Sequence, residues 1–136
     1  RGFTLLELLV VISIMALATA GVSLAMRDSG QTQLEREAAR LAALLESGRA
    51  QSRGTGVPVR WRADAQGFQF EGLVGSQLPR HWLDSATSVR GPATLWLGPE
   101  PLIGAQQVLI VSQAHPERAV RVATDGLRPF SAQALP

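Results

Sequence analysis

A run of 19 residues without a charged side chain, residues 8–26, lies close to the start of the chain. Of the 24 residues in the range 3–26, 18 are hydrophobic, compared with 46% for the whole chain. As a helix with a rise of ~1.5 Å per residue, this range would be roughly 36 Å long. The hydrocarbon core of a bilayer is ~30 Å thick. The pattern therefore predicts a helix that can span a membrane, followed by an ordinary soluble domain.

Two common kinds of segment have this composition. One is a cleaved secretory signal, for which Ala18-Thr19-Ala20 supplies small residues at the cleavage site. The other is a plain anchor helix, whose preceding Arg1 favours an N-terminus on the cytoplasmic side. Neither explains Glu7, because a carboxylate in an apolar run costs about 2–3 kcal/mol or more in lipid and is a functional candidate.

The residues around Glu7 form a motif. The sequence Arg1-Gly2-Phe3-Thr4-Leu5-Leu6-Glu7, followed by Leu8-Leu9-Val10-Val11-Ile12, resembles the type IV pilin-like prepilin signature. The resemblance implies cleavage between Gly2 and Phe3 by a prepilin peptidase, N-methylation of Phe3, and residues 1–2 as the remnant of a leader. It also implies that Glu7 meets the N-terminal amine of a neighbouring subunit and sets axial register. The energetics of buried charges agree with this role of Glu7, because a buried carboxylate is tolerated only when it is paired with an opposite charge such as that amine.

The helix is expected to continue beyond the apolar run. Residues 3–27 are predicted as the membrane and assembly helix, and residues 28–54 as its amphipathic continuation. One helical stripe is apolar and is expected to pack on the protein's own sheet, comprising Leu34, Ala38, Leu41, Ala42 and Leu45. The other side is charged and is interpreted as a solvated face, comprising Glu35, Arg36, Glu37, Arg40, Glu46 and Arg49. Gly54-Thr55-Gly56 is expected to end the helix.

Residues 55–136 read as a β-rich domain. Alternation in residues 57–62 and 68–71 predicts a hairpin with Trp61, Phe68 and Phe70 on one core face. Further strands are expected near residues 87–89, 93–97 and 107–112. Asp125-Gly126 predicts a second hairpin that joins residues 119–124 to residues 127–130. The fold class is therefore α+β: a long N-terminal helix packed on an antiparallel β-sheet or small β-sandwich.

The order of these elements is similar to that of the GspH/FimT group of minor pilin-like proteins. The similarity rests on Gly56-Val57-Pro58-Val59, Asp64, Gly67-Phe68 and the final strand pair near Gly126. It implies a minor pseudopilin of type II secretion in the bacterial inner membrane, with the C-terminal domain in the periplasm. The implied partners are other minor and major pseudopilins, the prepilin peptidase, membrane lipid and the inner-membrane assembly platform. No acid-rich loop of the kind that binds calcium in major pseudopilins follows Gly91.

Enzymatic chemistry has little support in the sequence. The chain has no cysteine, and its two histidines, His81 and His115, lie apart without a ligand cluster and are expected in exposed loops. We therefore expect no catalytic residues, no metal and no cofactor.

Nucleic acid is a partner only in an alternative interpretation, a FimT-like minor pilin that takes up DNA through Arg118, Arg121 and Arg128. The pI near 10.9 does not support this interpretation, because the net charge is only +2. The chain lacks Tyr and Cys, which titrate between histidine and arginine, so a small positive excess is enough to give a high pI. Trp61 is the one aromatic residue in a position to stack bases between arginines.

Overall fold

A computed structural model describes residues 2–135, except for the side chains of residues 26–29. The prediction that involves Arg1 lies outside that description. So do the side chains of Arg27 and Asp28, which follow the apolar run. The chain divides into two compact units, Arg1–Thr32 and Gln33–Pro136. The described residues form one helix, α1 (Leu5–Thr55), and the strands β1 (Val59–Asp64), β2 (Gly67–Glu71), β3 (Thr87–Arg90), β4 (Thr94–Gly98), β5 (Gln106–Ser112), β6 (His115–Thr124) and β7 (Ser131–Ala134).

The helix ends where the glycines predicted that it would. The amide of Gly56 donates to the carbonyl of Ser52 at 2.8 Å, and Gly56 has a φ of 72°, which is the usual left-handed helix cap. The predicted apolar stripe is confirmed, since all of its members are buried: Leu34, Ala38, Leu41, Ala42 and Leu45. At its other end the helix begins at Leu5, two residues later than predicted.

The strands form two antiparallel sheets, which confirms the α+β fold. One has the order β2-β1-β4 and the other β3-β5-β6-β7. The core of the second unit joins the helical stripe to residues from both sheets. Its fully buried members on the strands include Val59, Trp61, Leu95, Leu97, Val108, Ile110, Val120 and Val122. Burial of this apolar surface is the main term that holds the helix on the sheets.

The first predicted hairpin is correct. β1 pairs with β2 from Arg60↔Glu71 to Asp64↔Gly67. The Asp64 carboxylate accepts hydrogen bonds from the amides of Gln66 and Gly67 and so closes the turn. Three aromatic rings of the loop and hairpin pack together, with Trp61 5.8 Å and Trp82 4.8 Å from Phe68.

The second predicted hairpin forms, but the predicted position of its second strand is wrong. β6 pairs with β5 along most of its length, and its partner on the other side is β7 at Ser131–Ala134 rather than residues 127–130. Residues 125–130 form a connection instead. The Asp125 carboxylate accepts from the amides of Leu127 and Arg128, which bends the chain out of the strand.

The charged side of the helix is only partly a solvated face, which corrects the sequence prediction. Glu37 is 1% and Arg49 3% exposed, whereas Glu35 and Arg36 are exposed. The Nη2 atom of Arg49 donates hydrogen bonds to the carbonyls of Pro101 and Gly126, each at 3.2 Å. Glu46 accepts from the amide of Phe130 at 2.8 Å. The side chains of Glu37, Glu46 and Arg49 hold the loops between strands on the helix, because each of them bonds to backbone groups that the loops leave unpaired.

Candidate functional site

The start of α1 is set by Thr4. Its hydroxyl accepts a hydrogen bond from the amide of Glu7 at 3.0 Å, and its carbonyl accepts from the amide of Leu8 at 3.1 Å. Thr4 is therefore the N-cap, which satisfies one of the amides that a helix leaves free at its first turn. Gly2 and Phe3 lie before the helix and are exposed. The Gly2–Phe3 peptide bond is consequently accessible and outside regular structure.

Glu7 lies in the first turn of the helix and is exposed. A carboxylate there interacts favourably with the helix dipole, by about 0.3–1 kcal/mol at a surface. It is the only charged residue in the range 2–25. Phe3 precedes Glu7 by four residues but lies before the N-cap, so Phe3 is not part of the helix that holds Glu7.

The surface around and beyond Glu7 is apolar on every side. Large hydrophobic side chains from Phe3 to Leu24 are all about half exposed or more, with Phe3 at 85% and Val11 at 47%. An isolated soluble helix normally keeps a polar face, so this surface needs lipid or other apolar helices around it. By length and composition α1 can cross a membrane, and its most apolar window is 0% buried within the chain.

The polar side chains of this segment are compatible with an apolar surrounding. The hydroxyl of Ser13 donates to the carbonyl of Leu9, and that of Thr19 to the carbonyl of Met15, both at 2.8 Å. These two hydroxyls are thereby satisfied inside the helix, as a lipid environment requires. Together with Glu7 and the exposed Gly2–Phe3 bond, the apolar helix forms the candidate assembly segment, residues 2–25.

The arginines of the alternative interpretation are only partly brought together. Arg121, on β6, and Arg128, after it, line the same open cleft of about 480 Å³, and Arg118 is not among its lining residues. Arg121 donates from Nε and Nη2 to the side-chain oxygen of Gln133 at 3.1 and 2.7 Å. The pKa of Asp125, beside Arg128, lies below its ordinary value because the amides of Arg128 and Leu127 bond to the carboxylate.

The aromatic residue near the arginines is not the one that the sequence suggested. Trp61 is 0% exposed and belongs to the core. Trp96, on the neighbouring strand, is 37% exposed, and the guanidinium of Arg60 lies 6.0 Å from its ring centre. Alternation along β4 could have identified Trp96, because Leu95 and Leu97 are the buried positions of that strand.

The histidines lie in separate places. His81 is exposed in the loop between β2 and β3, and His115, expected in a loop, begins β6 and is also exposed. Within residues 2–135, no three His, Cys, Asp or Glu side chains lie close enough to hold a metal ion.

Comparison with known proteins adds one finding. Residues 1–23 match the family model of the prokaryotic N-terminal methylation motif. No curated protein and no solved structure is significantly similar to the chain. The matched residues include the Gly2–Phe3 bond, Thr4 and Glu7, and they cover most of the candidate assembly segment. The chain therefore carries a prepilin-like N-methylation motif on a single apolar helix, which supports its assignment to the pilin-like proteins.

Proposed function

We propose that the chain is a minor pseudopilin, a structural subunit of the type II secretion pseudopilus in the bacterial inner membrane. The observation that carries the proposal is the candidate assembly segment: an N-methylation motif on a helix that is apolar on all sides and holds one carboxylate, Glu7. A lipid anchor alone has no use for that carboxylate, whereas a filament in which helices pack against each other does.

The proposed mechanism is non-catalytic. Prepilin peptidase hydrolyses the Gly2–Phe3 bond, and the new α-amine of Phe3 is methylated and keeps its positive charge. The segment then leaves the lipid and packs among the helices of other minor and major pseudopilins. Glu7 pairs with the amine of a neighbouring subunit, because an opposite charge offsets part of the cost of holding a charge in an apolar environment. This pairing selects one axial register.

The second unit is proposed to lie in the periplasm near the filament tip and to meet other subunits there. In this role the inner-membrane platform drives assembly and the filament moves exoproteins toward an outer-membrane channel. The proposal needs no nucleic acid, no metal and no catalytic residue.

The decisive experiment compares Glu7→Val with Ser13→Ala in cells that depend on this protein for secretion. Ser13→Ala removes a polar group from the same helix without removing a charge. We expect Glu7→Val to be processed and folded but to lose secretion and co-purification with other pseudopilins, and Ser13→Ala to retain both. Normal secretion by Glu7→Val would refute the role of Glu7.

Mass spectrometry of the mature protein should find a methylated N-terminal Phe3, and a start at Gly21 would indicate a signal peptide instead.

The alternative is a FimT-like minor pilin that binds DNA. Its supporting observation is that Arg121 and Arg128 line one cleft. A gel shift with duplex DNA, repeated with Arg118, Arg121 and Arg128 changed together to alanine, distinguishes the two functions. Salt-sensitive binding that the triple variant loses would favour DNA uptake, since phosphate contacts weaken steeply with salt.

A further inference from the structure

The open cleft on the sheet β3-β5-β6-β7 has a floor of small residues. Ala123 of β6 pairs with Ser131 of β7, and Arg121 pairs with Gln133 one step along the same face. The connection that carries Arg128 and Pro129 also lines the cleft. A cleft of about 480 Å³ is the right size for a few residues of an extended chain rather than for a folded surface.

Two side chains that line this cleft, Arg121 and Gln133, present hydrogen-bond donors. Arg121 donates to the oxygen of the Gln133 amide, so the amide nitrogen of Gln133 must point away from Arg121 with both of its hydrogens. No ion pair involves Arg121 within the described part of the chain, and Nη1 is not used in the contact to Gln133. The arrangement therefore matches an acceptor with negative charge.

The charge of the cleft is small. Arg121 and Arg128 carry two positive charges, and Asp125 lies 3.8 Å from Arg128 and offsets one of them. One net positive charge suits a single carboxylate. A nucleic acid has a row of phosphates, and its affinity depends on how many of them are neutralised.

The strand beside the cleft, β7, ends its sheet and is exposed along its whole length. The edges of the other sheet are partly occupied: the amide of Phe68 on β2 donates to the carbonyl of Arg80, and the Gln106 side chain bonds to both backbone groups of Trp96 on β4. An exposed edge strand offers backbone groups to an added strand.

We propose that β7 and the adjoining cleft bind an extended acidic segment of another protein chain. The segment adds as a strand to the outer edge of β7, and one of its carboxylates lies in the cleft against Arg121 and the amide nitrogen of Gln133. Backbone bonds supply affinity and the carboxylate supplies specificity, as in other strand-addition complexes. The backbone edge favours a peptide over a nucleic acid, since a nucleic acid has no amide groups to pair with it. This binding goes beyond the assembly role of the N-terminal segment and does not depend on it.

The test is a nitrogen-15 NMR titration of the full chain in nonionic detergent micelles. The probe is a capped peptide of alternating threonine and glutamate, added to millimolar concentration. We expect shift changes at the amides of β7 and at the Nε–H of Arg121. Arg121→Gln should weaken binding about tenfold or more, because a hydrogen bond to a charged group is lost. Arg36→Gln removes an exposed charge from the helix instead and should bind as the unaltered protein does.

Two altered peptides separate the parts of the proposal. Glutamine in place of glutamate should weaken binding as much as Arg121→Gln does. N-methylation of alternate backbone amides should abolish binding, since it blocks strand addition.

Equal binding of the glutamate and glutamine peptides, unchanged binding of the N-methylated peptide, or no shift in β7 would each overturn the proposal. Binding of duplex DNA in place of the peptide, lost in Arg121→Gln, would overturn it in favour of a nucleic-acid site. Because no readout involves processing, methylation or secretion, a negative result here leaves the proposed pseudopilin function standing.

Discussion

Replacement of Glu37 by alanine should destabilise the second unit more than any other loss of a single charge on the helix. The Glu37 carboxylate accepts from the amide of Leu83 at 2.9 and 3.1 Å and from the amide of Asp84 at 3.2 Å. It also accepts from Arg40, which in turn donates to the carbonyl of His81. The Glu37 side chain thus binds two consecutive amides of the loop between β2 and β3, and through Arg40 it also holds the carbonyl of His81.

The magnitude follows from the groups that lose their partner. Glu37→Ala leaves two backbone amides without an acceptor, at about 1–3 kcal/mol each when buried. Leu83 is 65% exposed, so water can reach part of this loop and replace some of the lost bonds. We therefore expect about 2–4 kcal/mol. Arg40→Ala should cost about 1 kcal/mol or less, because its side chain is 24% exposed and its ion pair is partly screened.

The assay is urea unfolding of the full chain in detergent micelles, followed by tryptophan fluorescence. Trp82 is a sensitive reporter because it directly precedes Leu83 and packs on Phe68. Glu117→Gln serves as a control, since it removes a carboxylate that is 68% exposed and should change stability little. If Glu37→Ala cost no more than the control, or if Arg40→Ala cost as much as Glu37→Ala, the backbone contacts would not be the source of stability.

Three further substitutions test local contacts. Thr4→Val should lower the exchange protection of the Glu7 amide and destabilise the helix start by about 0.5–2 kcal/mol, whereas Thr4→Ser should not; equal protection in both would refute the N-cap. Gly126→Ala should cost about 2 kcal/mol or more in urea unfolding, because a Cβ would lie 2.1 Å from the carbonyl oxygen of Ile103 at a φ of +97°, while Gly104→Ala should be nearly neutral. The pKa of the Asp125 carboxyl lies below its ordinary 3.8 in the folded chain, so its contribution to stability is full above that value and is lost as the pH falls through the folded pKa. Asp125→Asn should remove this acid-dependent part of the urea midpoint, and an unchanged pH profile would contradict the assignment.

The helix and the first hairpin could be predicted because short-range rules determine them. A period near 3.6 selects the stripe from Leu34 to Leu45, and all of its members are buried. In the hairpin, Asp64 bonds to the amides two and three residues later, so the turn is encoded where it occurs. Glu7 and the Gly2–Phe3 bond could also be found in the sequence, since a charge in an apolar run is conspicuous without any knowledge of the fold.

The end of the second sheet could not be predicted in this way. Asp125-Gly126 does mark a turn, but where the strand resumes depends on Phe130, which is buried and donates its amide to Glu46, 84 residues away. No local pattern contains that contact. The charged side of the helix was misread for the same reason. A mixed run of glutamate and arginine is typical of a solvated face, and only the position of the loops shows that Glu37 and Arg49 face backbone groups rather than water.

The two parts of α1 use their polar residues in different ways, and this separates the consequences of mutation. In residues 5–25 the apolar side chains are exposed and Glu7 is the one charge, so a change there leaves the contacts of the second unit intact. In residues 33–55 the charges at Glu37, Glu46 and Arg49 hold loops of the domain, so a change there acts through stability. A variant of Glu7 that lowers urea stability, or a variant of Arg49 that leaves it unchanged, would be inconsistent with this division. Defects in assembly can therefore be assigned to the first part of the helix only when the unfolding of the second unit is unchanged.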